Sequence, residues 1–248
     1  MIPIRTCQEI DKMHRAGKIL SKIMEELAKR VKPGVATLDF DRVAAKAISR
    51  SGAVSAFKGY HGYPAHICVS VNEEVVHGIP GKRKLVNGDI VSIDIGIELD
   101  GFFSDMAKTF PVGSVSPEKQ KLIETARVSL DEAIKAFKPG AKLGEVSRAV
   151  QRTVEARGFS VVRDFVGHGI GSQLHEEPQI PNFSFSDEVG PVLKEGMVFA
   201  IEPMINAGGW EVEILKDGWT AVTRDREPSA HFEHTVALGI EGPKILTQ

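Results

Sequence analysis

Gly88-Asp89-Ile90-Val91-Ser92-Ile93-Asp94 is an apolar run that closes on an acid. Further along, Gly196-Met197-Val198-Phe199-Ala200-Ile201-Glu202 has the same form. Working outward, the match widens. Lys32, Pro33, Gly34, Arg42 and Gly52 meet Lys138, Pro139, Gly140, Arg148 and Gly158 at one constant offset, only two residues different from that of the apolar runs. We read two related halves, about residues 1–115 and 116–248, each made of two helices followed by strands. Chance agreement of helix ends is the rival reading, because Lys-Pro-Gly is a common stop. The period is far too long for a solenoid. One compact two-lobed α+β domain over residues 1–248 is therefore expected, with Asp94 and Glu202 at equivalent positions.

Local signals fit that division. Thr6-Cys7-Gln8-Glu9 has the form of a capping box. Ile10, Met13, Leu20, Met24, Leu27 and Val31 then share a helical face, up to a stop at Lys32-Pro33-Gly34. A second helix is expected over about Leu38–Arg50. Ser116-Pro117 opens a third, with Leu122, Ile123, Ala126, Leu130, Ile134 and Phe137 on its apolar face. A fourth ends at Gly158.

Asp100-Gly101 is a two-residue turn signal, so Asp89–Phe110 reads as a hairpin. Pairing Leu99 with Phe102 sets Asp94 opposite Ala107 and Asp105 opposite Gly96. Asp94 and Asp105 then share a face as diagonal neighbours, about 7–8 Å apart at the backbone. Val91, Ile93 and Ile95 point the other way. Paired carboxylates repel unless a cation lies between them. Their reach suits two ions about 3.5–4 Å apart. Taken alone, the hairpin reads more readily as a solvated acidic surface.

Other clusters change that reading. His168 stands among glycines in Val166-Gly167-His168-Gly169-Ile170-Gly171, where backbone can approach closely. Glu202 ends an apolar strand and precedes Pro203. Glu233 lies in the strand-like run His231–Leu238. Buried acids need partners. Four acids and one imidazole suit hard or borderline divalent ions such as manganese, iron, cobalt or zinc.

The bulk numbers exclude several classes. The chain has 248 residues, a formal charge of −2 and a pI near 6.5, which argues against a nucleic-acid footprint. No apolar run reaches the roughly 18 residues of a membrane helix. The start is polar by Arg5, without the apolar core of a signal peptide. Cys7 and Cys68 are too few for a disulfide framework, and a reduced cytoplasmic setting follows as the expectation.

At these residues the chain resembles the type I, short bacterial-type methionine aminopeptidases of the pita-bread fold. The resemblance spans Ile10-Asp11-Lys12-Met13 to Phe232-Glu233-His234-Thr235. It is carried most specifically by Ser70–Pro80, Gly167–Gly171, His175-Glu176-Glu177-Pro178 and Ala200-Ile201-Glu202-Pro203-Met204. It implies a duplicated α/β unit around one curved antiparallel sheet, and two divalent ions per chain. Asp94 would bind one ion with both oxygens, Asp105 and Glu233 would bridge, and His168 and Glu202 would complete the other shell. His77 and His175 would contact substrate, although loop-capping and turn roles fit them too. The methionine pocket would lie near Tyr60, Tyr63, Cys68, Leu174 and Trp219. Three departures from the family pattern fall there: Phe57 for cysteine, Leu174 for an aromatic and Gly96 for threonine. Phe183 also replaces other aromatics.

The implied reaction is removal of the initiator methionine from nascent chains with a small second residue. Metal-activated water would attack, Glu202 would act as base then acid, and the substrate amine would sit on the ion held by Asp94 and Asp105. A monomer is expected, with possible ribosome contact. No amino-terminal zinc finger and no type II insertion are expected. The rivals are an X-Pro aminopeptidase or dipeptidase of the same fold, and a non-catalytic pita-bread binding protein.

Overall fold

Residues 1–248 are all described in the computed structural model. Thr6 opens α1 (Cys7–Ala28) with both bonds of a capping box: its side chain accepts from the Glu9 N–H, and the Glu9 carboxylate accepts from the Thr6 N–H. Met13, Leu20, Ile23, Met24 and Leu27 form the buried face. The helix stops a turn before Lys32-Pro33-Gly34, earlier than the sequence suggested. The Arg30 and Val31 N–H groups bond three residues back, to Leu27 and Ala28, so the chain tightens out of the α-helix before proline is reached. α2 (Thr37–Ser51) ends on Gly52, whose φ of 77° places it in the left-handed cap conformation.

The second half repeats this. Ser116 caps α3 (Pro117–Ala136) by accepting from the Lys119 N–H, and Pro117 takes the first helical position. α4 (Leu143–Glu155) follows, with Gly158 at φ 82° just beyond it. Non-helical contacts agree as well. The Gly34 N–H bonds to Leu85 O at 2.7 Å, and the Gly140 N–H to Leu193 O at 2.9 Å. The lone bridges Ala36↔Lys84 and Lys142↔Val192 stand at matching places. Each helix pair covers its own apolar cluster. Leu20, Phe40, Val91, Ile93 and Ile95 meet in one, and Leu130, Phe137, Val150 and Phe199 in the other.

The hairpin has the expected register. The Ile90–Leu99 strand pairs with Phe102–Pro111, setting Leu99 opposite Phe102, Asp94 opposite Ala107 and Gly96 opposite Asp105. Asp100 and Gly101 both hold positive φ, 53° and 79°, as a type I′ turn requires.

The strands do not form one unbroken sheet. They make a four-stranded, a five-stranded and two three-stranded sheets, all antiparallel. The Val198–Ile201 strand stops just before Glu202, as the sequence indicated, whereas the run read as strand-like through Glu233 breaks there. Val198–Ile201 pairs with His234–Gly239 in the five-stranded sheet. Met204–Asn206 pairs with Ser229–His231 in a three-stranded one. Glu202-Pro203 and Phe232-Glu233 lie in the facing gaps, where two paired strands change sheets together. Pro203 offers no N–H to continue the ladder. A two-residue strand, Ser160–Val161, pairs with Ile205 and Asn206 on the other side of the Met204–Asn206 strand.

Side chains and backbone bridge the seam between halves. Thr109 Oγ1 accepts from the His231 N–H and donates to His231 O, both at 2.8 Å. The Glu233 N–H bonds to Ala107 O at 2.9 Å, and Thr235 Oγ1 accepts from the Asp105 N–H at 2.9 Å. This seam carries acids of the second half to the hairpin face of the first.

Candidate metal centre and active site

Asp94 and Asp105 stand on one face of the hairpin, with Glu202 and Glu233 brought to it by the two strand breaks. His168 joins from the Gly167–Gly169 strand, in the same five-stranded sheet. Its flanking glycines have a steric cause. A Cβ on Gly167 would lie 2.5 Å from Ala200 O, and one on Gly169 2.1 Å from Glu177 O, so no side chain fits at either position.

Potential ligand atoms of Asp105, His168 and Glu233 all lie within 4.8 Å of one another. Asp94 Oδ1, Asp105 Oδ1 and Glu233 Oε1 are buried with no hydrogen-bond partner. A buried, unpaired carboxylate oxygen is costly, and a divalent cation satisfies several at once. The imidazole is also prepared. His168 Nδ1 lies 2.9 Å from Gly169 O. A carbonyl only accepts, so Nδ1 carries the hydrogen and Nε2 keeps its lone pair. The donor set therefore fits a hard or borderline divalent ion.

The electrostatics agree. Burial pushes the Asp94 carboxyl well up, and neighbouring Asp105 and Glu202 push it further. Burial raises Glu202 and Glu233 too, and the charge of Asp105 raises each further. Asp105 itself is raised to about 7 by burial. Burial, aided by His175, holds His168 down to about 3 and hence neutral. The metal-free site thus resists gathering four negative charges, and a cation would relieve it.

Every site residue named from the sequence lines one cavity of about 260 Å³. The acids and His168 line it together with Phe57, Tyr63, Cys68 and Leu174, which belong to one apolar cluster with Tyr60 and Trp219 packed against it. Tyr63 O–H donates to Ile67 O and Gly78 O, and its ring meets Trp219 edge-on at 5.1 Å. Cys68 is fully buried and kept as a thiol, its pKa raised by desolvation and then by Asp94. Phe183 lies outside the cavity, stacked with Arg163 at 5.1 Å.

The two further histidines line the same cavity. His77 holds a φ of 60°, a strain of roughly 1–3 kcal/mol that structures keep mainly at functional sites. Burial lowers its pKa to about 4. His175 Nδ1 lies 2.6 Å from Tyr60 Oη, and its ring lies 4.3 Å from that of His168. Val76, Asp164, Phe165, Val166 and Met204 also line the cavity and were missed. Phe165 packs edge-on to His77 at 5.4 Å. Its place beside the glycine-flanked His168 motif was the available signal. His231, with Nε2 only 3.5 Å from Glu202 Oε2, was missed as well.

The family model for metallopeptidase family M24 matches residues 11–239. The chain is 50% identical over 248 residues to Methionine aminopeptidase 1 of Bacillus subtilis, covering 100% of both chains. It superposes on the crystal structure of a methionine aminopeptidase from Thermotoga maritima with a TM-score of 0.98, at 46% identity and with 100% of both chains covered. A prolidase from Pyrococcus furiosus shares the fold alone, at 24% identity and a TM-score of 0.81, with 99% of this chain and 65% of that one covered. The chain belongs to metallopeptidase family M24, a family of metal-dependent peptidases, and has the pita-bread fold. No helix is long and apolar enough to cross a membrane.

Proposed function

We propose that this chain removes the initiator methionine from nascent proteins, with two divalent ions held by Asp94, Asp105, His168, Glu202 and Glu233. The observation that carries the reading is one cavity lined both by carboxylates with unpartnered buried oxygens and by apolar side chains, in a chain 50% identical to a curated methionine aminopeptidase. Bound ions of this class acidify water and polarise a carbonyl. The ligand types admit manganese, iron, cobalt or zinc.

The protein's own groups do the rest. The Met side chain enters between Phe57, Tyr63, Cys68 and Leu174, where an unbranched thioether fills an irregular space well. Glu202, raised by burial, takes a proton from water and delivers it to the leaving amine, as base then acid. His175 is neutral, so one ring nitrogen donates and the other accepts. With Tyr60 O–H donating to Nδ1, His175 Nε2–H is free to stabilise negative charge developing on the carbonyl oxygen. His77 contacts the substrate amide. Phe165 and Trp219 pack edge-on against His77 in the cavity lining, which favours a small second residue.

That substrate puts the enzyme in the cytoplasm, on chains leaving the ribosome, and the task needs no more than a monomer. An X-Pro peptidase reading is weaker, because the prolidase match is to the fold only. The test is a cleavage screen of Met-Ala-Ser, Met-Leu-Ser and Ala-Pro peptides across the four metals. Release of methionine from Met-Ala-Ser, with Met-Leu-Ser and Ala-Pro at least tenfold slower, is expected. Faster Ala-Pro cleavage would overturn the assignment.

A further inference from the structure

His231 closes the Ser229–His231 strand behind the cavity wall, 2% exposed and opposite Met204. Its main chain is fully engaged with Thr109 Oγ1. Its ring is not: Nε2 is buried without a hydrogen-bond partner. That atom lies 3.5 Å from Glu202 Oε2, while Glu202 Oε1 lies 3.6 Å from His168 Nε2. The glutamate therefore sits between two imidazole nitrogens.

The two nitrogens differ in chemistry. His168 spends its hydrogen on Gly169 O, so its Nε2 presents a lone pair. His231 has no such bond to fix the other tautomer. A neutral imidazole carries one N–H. If that hydrogen sat on Nδ1, the Nε2 lone pair would face the ionised Glu202 oxygen that a general base requires, two acceptors in a buried site, which is unfavourable. With the hydrogen on Nε2, the ring presents a donor to Oε2, and a shift of a few tenths of an ångström closes the bond.

We propose that His231 is a positioning residue, whose Nε2–H holds Glu202 Oε2 and leaves Oε1 as the oxygen facing His168 and the acid cluster. This rests on the reading of Glu202 as the base. Orienting groups of this kind change metal affinity or activity by about 10–100-fold when removed.

Two variants and one spectrum test it. Nitrogen-15 correlation spectra of the histidine-labelled protein, assigned by loss of the signal in His231→Gln, should show the Nε2–H tautomer at neutral pH. His231→Leu should lower kcat on Met-Ala-Ser about 10–100-fold with KM within about twofold, and weaken metal binding in calorimetry by a similar factor. His231→Gln keeps an N–H donor and should recover most of both. An Nδ1–H tautomer overturns the proposal, as does an equal loss in Leu and Gln variants, or wild-type values in His231→Leu. If the leucine variant does not fold, the tautomer and the glutamine variant still decide. Failure of the wild-type protein to release methionine would sink the functional reading instead, and leaves the tautomer result interpretable.

Discussion

The Phe57 ring occupies the space into which a side chain at position 96 would grow. A Cβ on Gly96 would lie 2.8 Å from Phe57 Cε1, 3.1 Å from Ala56 Cβ and 3.2 Å from Asp105 Oδ1. The Ala56 N–H bonds to Gly96 O at 3.0 Å, which fixes the two segments together. Bare backbone and large ring are thus one complementary pair, beside a candidate metal ligand. The two departures seen there in the sequence act as one.

That coupling is measurable. Gly96→Thr overpacks the wall and should cost about 1–3 kcal/mol, with a matching fall in kcat/KM. Adding Phe57→Cys should recover most of the loss. Melting curves and Met-Ala-Ser kinetics on the four proteins give the coupling. Strictly additive effects would show that the two positions are independent.

Arg5 and Glu176 form a buried ion pair, with side chains 10% and 8% exposed. Glu176 also accepts from the Ser172 hydroxyl and the Gln173 N–H, each at 3.1 Å. The pair pins the turn that carries Leu174 and His175. Arg5→Ala leaves a buried carboxylate without its cation and should cost about 3–5 kcal/mol in denaturant unfolding. A loss below about 1 kcal/mol would mean that the pair is not what holds this turn.

The metal-free protein should lose stability as pH rises above 6.5. Asp105 is raised to about 7, and Asp94, Glu202 and Glu233 are raised well above ordinary carboxylates. A raised folded-state pKa contributes stability at low pH that disappears as pH climbs through it. His77, His168, His231 and His234 are lowered to about 4, 3, 3 and 4. Their contribution runs oppositely, being complete above the unfolded value near 6.5 and lost only as pH falls. Above pH 6.5 these histidines therefore no longer offset the carboxylates. Stability should fall by about 1.4 kcal/mol per pH unit for each proton released. Thermal melts from pH 6.5 to 8.5 should show the slope in chelated protein, reduced in Asp105→Asn and absent once metal is added. A flat chelated profile contradicts the site's electrostatics.

Local chemistry made much of this fold legible. The capping box at Thr6, the Ser116-Pro117 start and the Asp100-Gly101 turn each act over a few residues, and the hairpin register followed from the turn alone. Alternation then told which side Asp94 and Asp105 share. The end of the strand at Glu202-Pro203 was marked by acid and proline, but the break at Phe232-Glu233 was not legible, because an apolar run does not reveal which sheet it joins. The positive φ of His77 depends on its tertiary setting. His231 escaped notice for a similar reason. It meets Glu202 only through pairing of the Met204–Asn206 and Ser229–His231 strands, and nothing local marks that contact.

The account turns on Glu202 serving a centre built by acids from both halves of the chain. The direct measurement is the rate of methionine release from Met-Ala-Ser by Glu202→Gln at saturating metal, with bound metal quantified in the same sample. A fall in kcat of about 10²–10⁴-fold is expected, the usual range for a lost general base. Turnover within threefold of wild type, with metal bound, would contradict it.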